Sequence, residues 1–298
     1  MIDTYLTTFP WDLLDEGLDA ALDRLHGQVG LTGVCVWAAS PPVRYLRTRD
    51  VKPRFFRTRG GLFFHPDVPR YESTRCRPLV AAAATAEDPL VRIADACAEH
   101  RLALRMIVAA ATAPRLARAQ PEMAAKNLFG DVSRRTVCLA NPNVEAYLCT
   151  LAADLSSRRH VSGVILADMG IGWGEATEPP PVGLEPLGPS DRTLLSICFC
   201  ESCRQRAGEH GVDVAAAQRF ARAVLEKTLD TGTGPDGGLK AILDESPSLR
   251  AWFDWRRAAL SALLGRIVEA CGGDVVVDRG APPSGELRRN QPDDSLPA

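Results

Sequence analysis

Three cysteines stand close together in the sequence, at a spacing that suits a metal ion. Cys198, Cys200 and Cys203 form a C-x-C-x-x-C array in a segment bounded by turn residues. Thiolates at this spacing can converge on one small cation, and zinc is the natural occupant because structural zinc sites are tetrahedral and rich in cysteine. The alternative interpretation is that the three residues are unpaired thiols in a surface loop.

A closed zinc site needs a fourth ligand from elsewhere in the chain. Cys138 is the leading candidate, because it lies just before the predicted helix that leads into the fourth strand, while the array lies beyond that strand. Both segments should therefore reach the same rim of the fold. His210, Cys149 and Glu201 are weaker candidates, and helical periodicity places Cys149 inside the preceding helix. The sequence therefore predicts a structural zinc ion held by the array and a fourth ligand, for which Cys138 is the first candidate.

A carboxylate follows the fourth apolar run of the chain. Asp168 comes directly after residues 164–167, and the glycine-rich segment 170–175 follows it. Because an unpaired buried charge is expensive, Asp168 should lie at an exposed strand end or beside a partner. Trp173 could stack on a sugar ring, and Glu175 could supply the second of the two carboxyl groups that glycosidases use. The alternatives are that Asp168 caps this segment and that Trp173 only packs it down.

Four further residues are weaker candidates for the same site. Active sites of parallel barrels lie at the carboxyl ends of the strands. Trp37 lies near the end of the second strand, Arg105 inside the third, Asn127 in the loop after it and Asp278 at the end of the fifth. With Trp173, they are the predicted substrate-binding residues, and Asp168 and Glu175 are the predicted catalytic ones.

Apolar runs and helical patterns alternate along the chain, which predicts an α/β fold. The predicted strands are residues 2–9, 31–39, 102–111, 161–169 and 273–280, and the predicted helices are residues 11–28, 88–100, 143–157, 214–229 and 248–271. Each parallel pairing needs a crossover, which is normally helical. The pattern therefore predicts a parallel sheet of the (β/α)8, or TIM-barrel, type. Only five β/α units are visible where a closed barrel has eight, so we expect an incomplete barrel.

We expect one domain over residues 1–280. A long insertion at 40–88 contains Gly60-Gly61 between aromatic runs, which is typical of a hairpin turn. Residues 170–212 are expected to form a loop that carries the cysteine array. Residues 281–298 are rich in proline, serine and charge, which predicts a disordered tail.

The charge, hydropathy and cysteine content of the chain argue against nucleic-acid binding, membrane insertion and secretion. The net charge is −2 with both signs interspersed, so no basic surface for nucleic acid is expected. No stretch approaches the roughly 18 apolar residues of a membrane span, and no basic flank precedes an apolar leader. Nine cysteines without an export signal favour metal ligation or burial over disulfides. We therefore expect a cytoplasmic protein.

In the segments that carry these cysteines and Asp168, the chain resembles glycoside hydrolase family 42, a β-galactosidase family whose barrel carries a zinc cluster. The matching stretches are VCLANPNVEAYL at 137–148, the strand ending in Asp168, and CFCESC at 198–203, in the same order. The resemblance spans roughly residues 100 to 205. It implies a TIM-barrel fold in which the strand ending at Asp168 is the fourth. It also implies zinc ligation by Cys138 and the three cysteines of the array.

The chain also departs from that family. The family's fourth strand ends in an Asn-Glu pair whose glutamate is the acid/base, whereas this chain has Ala167-Asp168-Met169-Gly170. The seventh strand, which carries the nucleophile, has no counterpart here. Two hypotheses follow. The first is a glycoside-hydrolase-like protein that acts on a carbohydrate or glycoside through carboxylates at the strand ends. The second is a non-catalytic carbohydrate-binding or scaffold protein, a pseudo-enzyme or fragment. In either case an exposed sheet edge would favour a homo-oligomer.

Overall fold

The computed structural model describes residues 3–47, 52–169 and 187–278. Within these ranges ten strands form. They are β1 (Tyr5–Thr8), β2 (Gly33–Ser40), β3 (Val43–Leu46), β4 (Phe55–Thr58), β5 (Gly61–Leu62), β6 (Ala103–Ala109), β7 (Ala124–Lys126), β8 (Val132–Val137), β9 (Val161–Ala167) and β10 (Asp274–Asp278).

Ten α-helices form in the described ranges. They are α1 (Pro10–Glu16), α2 (Leu18–Asp23), α3 (Pro89–Glu99), α4 (Pro114–Ala119), α5 (Pro142–Ser156), α6 (Pro189–Ser196), α7 (Glu201–Glu209), α8 (Val214–Thr231), α9 (Gly238–Glu245) and α10 (Pro247–Cys271). Several begin with a side-chain cap followed by proline, as Asp88 caps α3 and Asn141 caps α5.

The main sheet contains five parallel strands in chain order, β1-β2-β6-β9-β10, and β5 adds to β2 in the antiparallel direction. Each parallel strand lies beside its successor, which is the strand order of a (β/α) barrel. The predicted α/β class with a parallel sheet is therefore confirmed. Among the residues that the structure describes, the sheet is open, with five parallel strands instead of a closed ring of eight.

Helices cover one face of this sheet. Alternate side chains of a strand point to opposite faces, and all eight residues of β2 are buried, so both faces of that strand are covered. On the helical face, Val36 of β2, Met106 of β6 and Leu166 of β9 share one core with Ile93 of α3 and Leu151 of α5. Because the strands are apolar on both faces, a second layer must cover the opposite side.

Aromatic side chains cover that opposite face. Trp37 and Ile107 point into it and pack with Phe9, Trp11 and Phe63. The rings of Phe9 and Trp11 are stacked with centroids 4.5 Å apart, and Phe9 lies 5.9 Å from Trp37. In a closed barrel, side chains of the opposite strands would fill this space. Here the residues after β1 and β5 fill it instead.

The helices α6, α7, α8 and α9 form a separate core with the first half of α10. Phe199 and Trp252 stack with their rings 4.7 Å apart and nearly parallel, and Trp255 packs beside Trp252. This core also encloses Cys198 and Cys200, which flank Phe199. The packing of α10 therefore depends on the segment that carries the cysteine array.

The predicted helix at residues 11–28 is wrong as one continuous element. Gly17, with φ 90°, separates α1 from α2, and its N–H caps the carbonyl of Leu14. A short π-helical turn at Arg24–Gln28 follows α2. The other predicted helices and strands match observed elements to within a few residues.

Gly60-Gly61 is not a hairpin turn, in contrast to the prediction. The strand before it, β4, pairs with β3, and the strand after it, β5, pairs with β2. Gly61 has φ 120°, and a Cβ atom there would lie 2.4 Å from the carbonyl oxygen of Leu79. The glycines therefore allow two chain segments to cross closely.

The predicted loop at 170–212 contains two helices in its described part, α6 and α7. Proline at the first position of α6 and a capping interaction from Asp191 start α6, which explains a helix in a segment of turn-like composition. The predicted tail at 281–298 lies outside the described residues. No helix in the described ranges is long and apolar enough to cross a membrane.

The stacked pair of Phe199 and Trp252 gives a stability prediction. Trp252→Ala should reduce the free energy of unfolding by about 3–5 kcal/mol, because it opens a cavity in a fully buried position. Trp252→Phe should cost clearly less, since the ring still stacks and the lost indole N–H has no hydrogen-bond partner among the described residues. Urea unfolding of the two variants measures both values. Equal losses would contradict the role of the stack.

Candidate functional site

Four cysteines meet inside the core that α6 to α9 form with the first half of α10. Cys138 follows directly on β8, Cys198 and Cys200 lie between α6 and α7, and Cys203 lies in the first turn of α7. Their Sγ atoms all lie within 4.8 Å of one another, and all four residues are buried. The four thiols thus surround one point, and this donor set could hold a metal ion.

Backbone groups orient this cluster. The N–H groups of Lys126 and Cys200 donate to the Sγ atom of Cys198 over 3.3 and 3.4 Å. In return, the N–H of Phe199 donates to the carbonyl of Lys126 over 2.6 Å. The end of β7 therefore pairs with the cysteine array. N–H groups directed at sulfur stabilise a thiolate, the form that binds metal.

A buried arginine completes the cluster. Nη1 of Arg256 donates to Sγ of Cys203 over 3.1 Å and to the carbonyl of Cys198 over 3.2 Å. Burial alone would lower the pKa of Arg256, but the nearby cysteines outweigh burial and raise it. A divalent cation with four thiolates carries a charge of −2, and one buried guanidinium offsets part of that charge. The donor set and its charges fit a bound metal ion.

The weaker candidates for the fourth ligand lie outside the cluster. The ring of His210 is exposed, and its Nδ1 lies 2.7 Å from the carbonyl oxygen of Arg206. Cys149 packs against the main core from α5. Glu201 is exposed at the start of α7. The structure therefore brings together the four cysteines that the sequence predicts as ligands.

Asp168 is the first residue after β9. Its backbone has φ 58°, in the left-handed region that aspartate adopts more readily than most residues. The hydroxyl of Thr112 donates to Oδ2 of Asp168, and the N–H of Ala111 donates to its carbonyl oxygen over 3.3 Å. Burial raises the pKa of Asp168, and the hydrogen bonds from Thr112 oppose this rise without reversing it. The carboxyl group is therefore easier to keep protonated than an ordinary aspartate.

A cavity open to solvent lies beside this carboxyl group. Its volume is about 60 Å³, and Ala39 and Ser40 of β2 and Ala109 of β6 line it at the strand ends. Thr112 also lines the cavity while it bonds to Asp168. Sequence reasoning missed Thr112. The rule that directs attention to the residues just after each strand would have found it.

The other predicted site residues have different placements. Trp37 is buried in the aromatic layer below the strand ends. The backbone of Asp278 pairs with Ala167, which places it at the same edge of the sheet as Asp168. Trp173 and Glu175 lie outside the described residues. The structure thus brings Asp168 and Asp278 to neighbouring strand ends.

Arg105 and Asn127 do not join this group. Arg105 is the third residue of β6, near the amino end of the sheet, where its Nη2 lies 2.7 Å from Oδ2 of Asp274. Asn127 is buried in the β7–β8 loop. Its Nδ2 donates to Asp131, and its Oδ1 accepts N–H groups from Phe129 and Asp131. Both polar groups are occupied by structural contacts.

No model of a known protein family matches the chain, and no curated protein matches it. Among solved structures, α-L-fucosidase isoenzyme 2 from Paenibacillus thiaminolyticus is similar, with 12% identity and a TM-score of 0.50 over 94% of this chain and 33% of that one. A β-galactosidase from the psychrophilic Marinomonas ef1 has 15% identity and a TM-score of 0.43 over 93% and 37%. A polyextremophilic β-galactosidase from the Antarctic haloarchaeon Halorubrum lacusprofundi has 14% identity and a TM-score of 0.45 over 93% and 36%.

The chain therefore spans about a third of the length of the solved structures that it resembles. At these identities the likeness shows a similar fold and nothing more. It rests on the fucosidase, whose TM-score is 0.50. It supports a glycosidase-like fold of the TIM-barrel type. It does not single out glycoside hydrolase family 42.

Proposed function

We propose that this chain is a glycoside-hydrolase-type protein that acts on a carbohydrate at the carboxyl ends of its parallel strands, with a structural zinc site beside it. The observation that carries the proposal is the placement of Asp168. It is a carboxyl group with a raised pKa at the end of β9, and it is joined through Thr112 to a cavity that is open to solvent.

The chemistry of glycoside hydrolysis accounts for such a group. Protonation of the leaving oxygen needs a carboxylic acid whose pKa is raised, and a second carboxyl group acts as base or nucleophile. Asp168 takes the role of the acid in this proposal. Glu175 is the proposed second carboxyl group, and Trp173 the proposed stacking face. Asp278 follows on the neighbouring strand and is a further candidate to contact the substrate.

The metal in this proposal is zinc. Four cysteine thiolates form the tetrahedral sulfur set that zinc prefers, and a closed set with no open position is structural and not catalytic. Cys138, Cys198, Cys200 and Cys203 would hold it. The ion would fix the β7–β8 segment to the start of α7, and Arg256 would offset part of the cluster's charge.

A second candidate function is a non-catalytic carbohydrate-binding or scaffold protein. The open sheet favours it, since the described residues contain five parallel strands where catalytic barrels have eight. The two candidate functions predict different results for glycoside hydrolysis, and both predict a bound metal.

The zinc site can be tested by composition. Purified protein should contain about one zinc per chain by elemental analysis. Cys200→Ser should lower both the metal content and the melting temperature, because structural metal binding is linked to folding. Cys149→Ser is the matched control, since Cys149 lies outside the cluster, and it should retain its metal. Metal-free protein whose melting is unchanged by a chelator would contradict the proposal.

The catalytic role of Asp168 can be tested on a panel of aryl glycosides. Asp168→Asn should lower kcat by about 100-fold to 10,000-fold, the contribution of a general acid or base. Zinc content and folding should be preserved. Asp230→Asn removes an exposed carboxylate on α8 and should leave turnover unchanged. If the parent hydrolyses no glycoside but binds sugars, the binding function replaces the catalytic one.

The raised pKa of Asp168 also predicts a pH dependence of stability. Between the ordinary value of 3.8 and the raised value, the unfolded chain loses this proton while the folded protein keeps it. Stability therefore falls as the pH rises through this window, and the penalty persists above it. Asp168→Asn removes the penalty, so its melting temperature relative to the parent should be higher at pH 7 than at pH 3.5. The opposite trend in thermal melts would show that the folded protein favours the carboxylate.

A further inference from the structure

Three arginines line the cavity next to Asp168. Arg59 follows β4, Arg77 lies in the segment before α3, and Arg115 lies in α4. No aspartate or glutamate is among the described residues that line the cavity. Within the described part of the chain, none of the three arginines forms an ion pair. Three positive charges therefore face one cavity without an acidic partner there.

Two of these arginines are held in place by backbone carbonyls. Nη1 of Arg115 donates to the carbonyl oxygens of Gly60 and Val80 over 3.2 and 3.0 Å. Nη1 of Arg77 donates to the carbonyl oxygens of Tyr71 and Thr74 over 3.2 and 3.3 Å. A guanidinium group has five N–H donors, and these contacts use one nitrogen of each group. The side chains are thus positioned in advance, with further donors available.

The rest of the lining is mainly apolar. Leu62, Leu116, Val144 and Leu151 contribute to it, and Tyr147 adds an aromatic ring. Small-molecule sites commonly combine an apolar lining with a few placed polar groups. Arginine binds carboxylate and phosphate through paired N–H donors. A ligand with one anionic group and a C–H-rich body would satisfy both parts of the cavity.

We infer that this cavity binds the anionic group, a carboxylate or a phosphate, of a small carbohydrate ligand. The carbohydrate part of this inference rests on the proposed function, and the anionic part rests on Arg59, Arg77 and Arg115. The substrate class is then an acidic sugar, a uronic acid or a sugar phosphate. Its anionic group meets the arginines while its ring lies toward Thr112 and Asp168.

Calorimetric titration of the full chain with three probes tests this inference. Glucuronic acid carries a carboxylate, glucose 6-phosphate carries a phosphate, and glucose carries neither. At least one of the acidic probes should bind saturably, with glucose weaker by about 10-fold or more, the value of one charge-assisted hydrogen bond. The stronger of the two acidic probes identifies the anionic group. No saturable binding of either acid, or equal binding of glucose, would overturn the inference.

Variants locate the binding. Arg59 and Arg77 are exposed, so the Arg59→Gln and Arg77→Gln variants should fold. Each substitution should reduce the affinity for the acidic probe by about 10-fold or more. Arg219→Gln, which removes an exposed arginine of α8, is the control and should bind as the parent does. Unchanged binding in both cavity variants would overturn the inference.

The outcome also separates this inference from the proposed function. Saturable binding of an acidic probe without hydrolysis of any glycoside would remove the catalytic proposal and leave the anion site. Hydrolysis of neutral aryl glycosides without binding of either acid would support the catalytic proposal and overturn the anion site.

Discussion

The fold depends on one constraint, which is that its parallel sheet is apolar on both faces and needs cover on both. Every residue of β2 is buried, and its side chains alternate between the helical core and the aromatic layer. Toward the carboxyl edge of the sheet, polar side chains can then emerge only where the strands end. Thr112 and Asp168 lie just past the carboxyl ends of β6 and β9, where they bond to each other. The position of the candidate site thus follows from the burial of the strands.

The cysteine cluster has a different structural role. It connects two parts of the chain that are distant in sequence, since Cys138 and Cys203 are 65 residues apart. The surrounding core is small, and it encloses a buried cation, Arg256. An isolated buried charge is unfavourable, whereas a charge beside thiolates is compensated. A metal–thiolate group therefore suits this core better than four neutral thiols would.

Much of the fold could be predicted from the sequence, because buried parallel strands are continuous apolar runs and the helices between them keep a clear period. The grouping of the four cysteines was also predictable, from the spacing of the array and from the position of Cys138 before the helix that leads into the fourth strand. Contacts between distant segments were not. Arg105 looked like a site residue, but its partner Asp274 is 169 residues away. The close crossing at Gly61 depends on Leu79, which no local pattern reveals. Asn127 did carry a signal, because asparagine at the first and glycine at the fourth position, here Gly130, is typical of a β-turn.

The two parts of the proposed site would act on each other through charge. An anion held by Arg59, Arg77 and Arg115 would bring a negative charge toward Asp168, to which the cavity is joined through Thr112. A nearby negative charge disfavours a second one, so the bound anion would raise the pKa of Asp168 beyond the effect of burial. By linkage, protonation of Asp168 would in turn strengthen binding of the anion. An acidic ligand would therefore keep Asp168 in the form that a general acid requires.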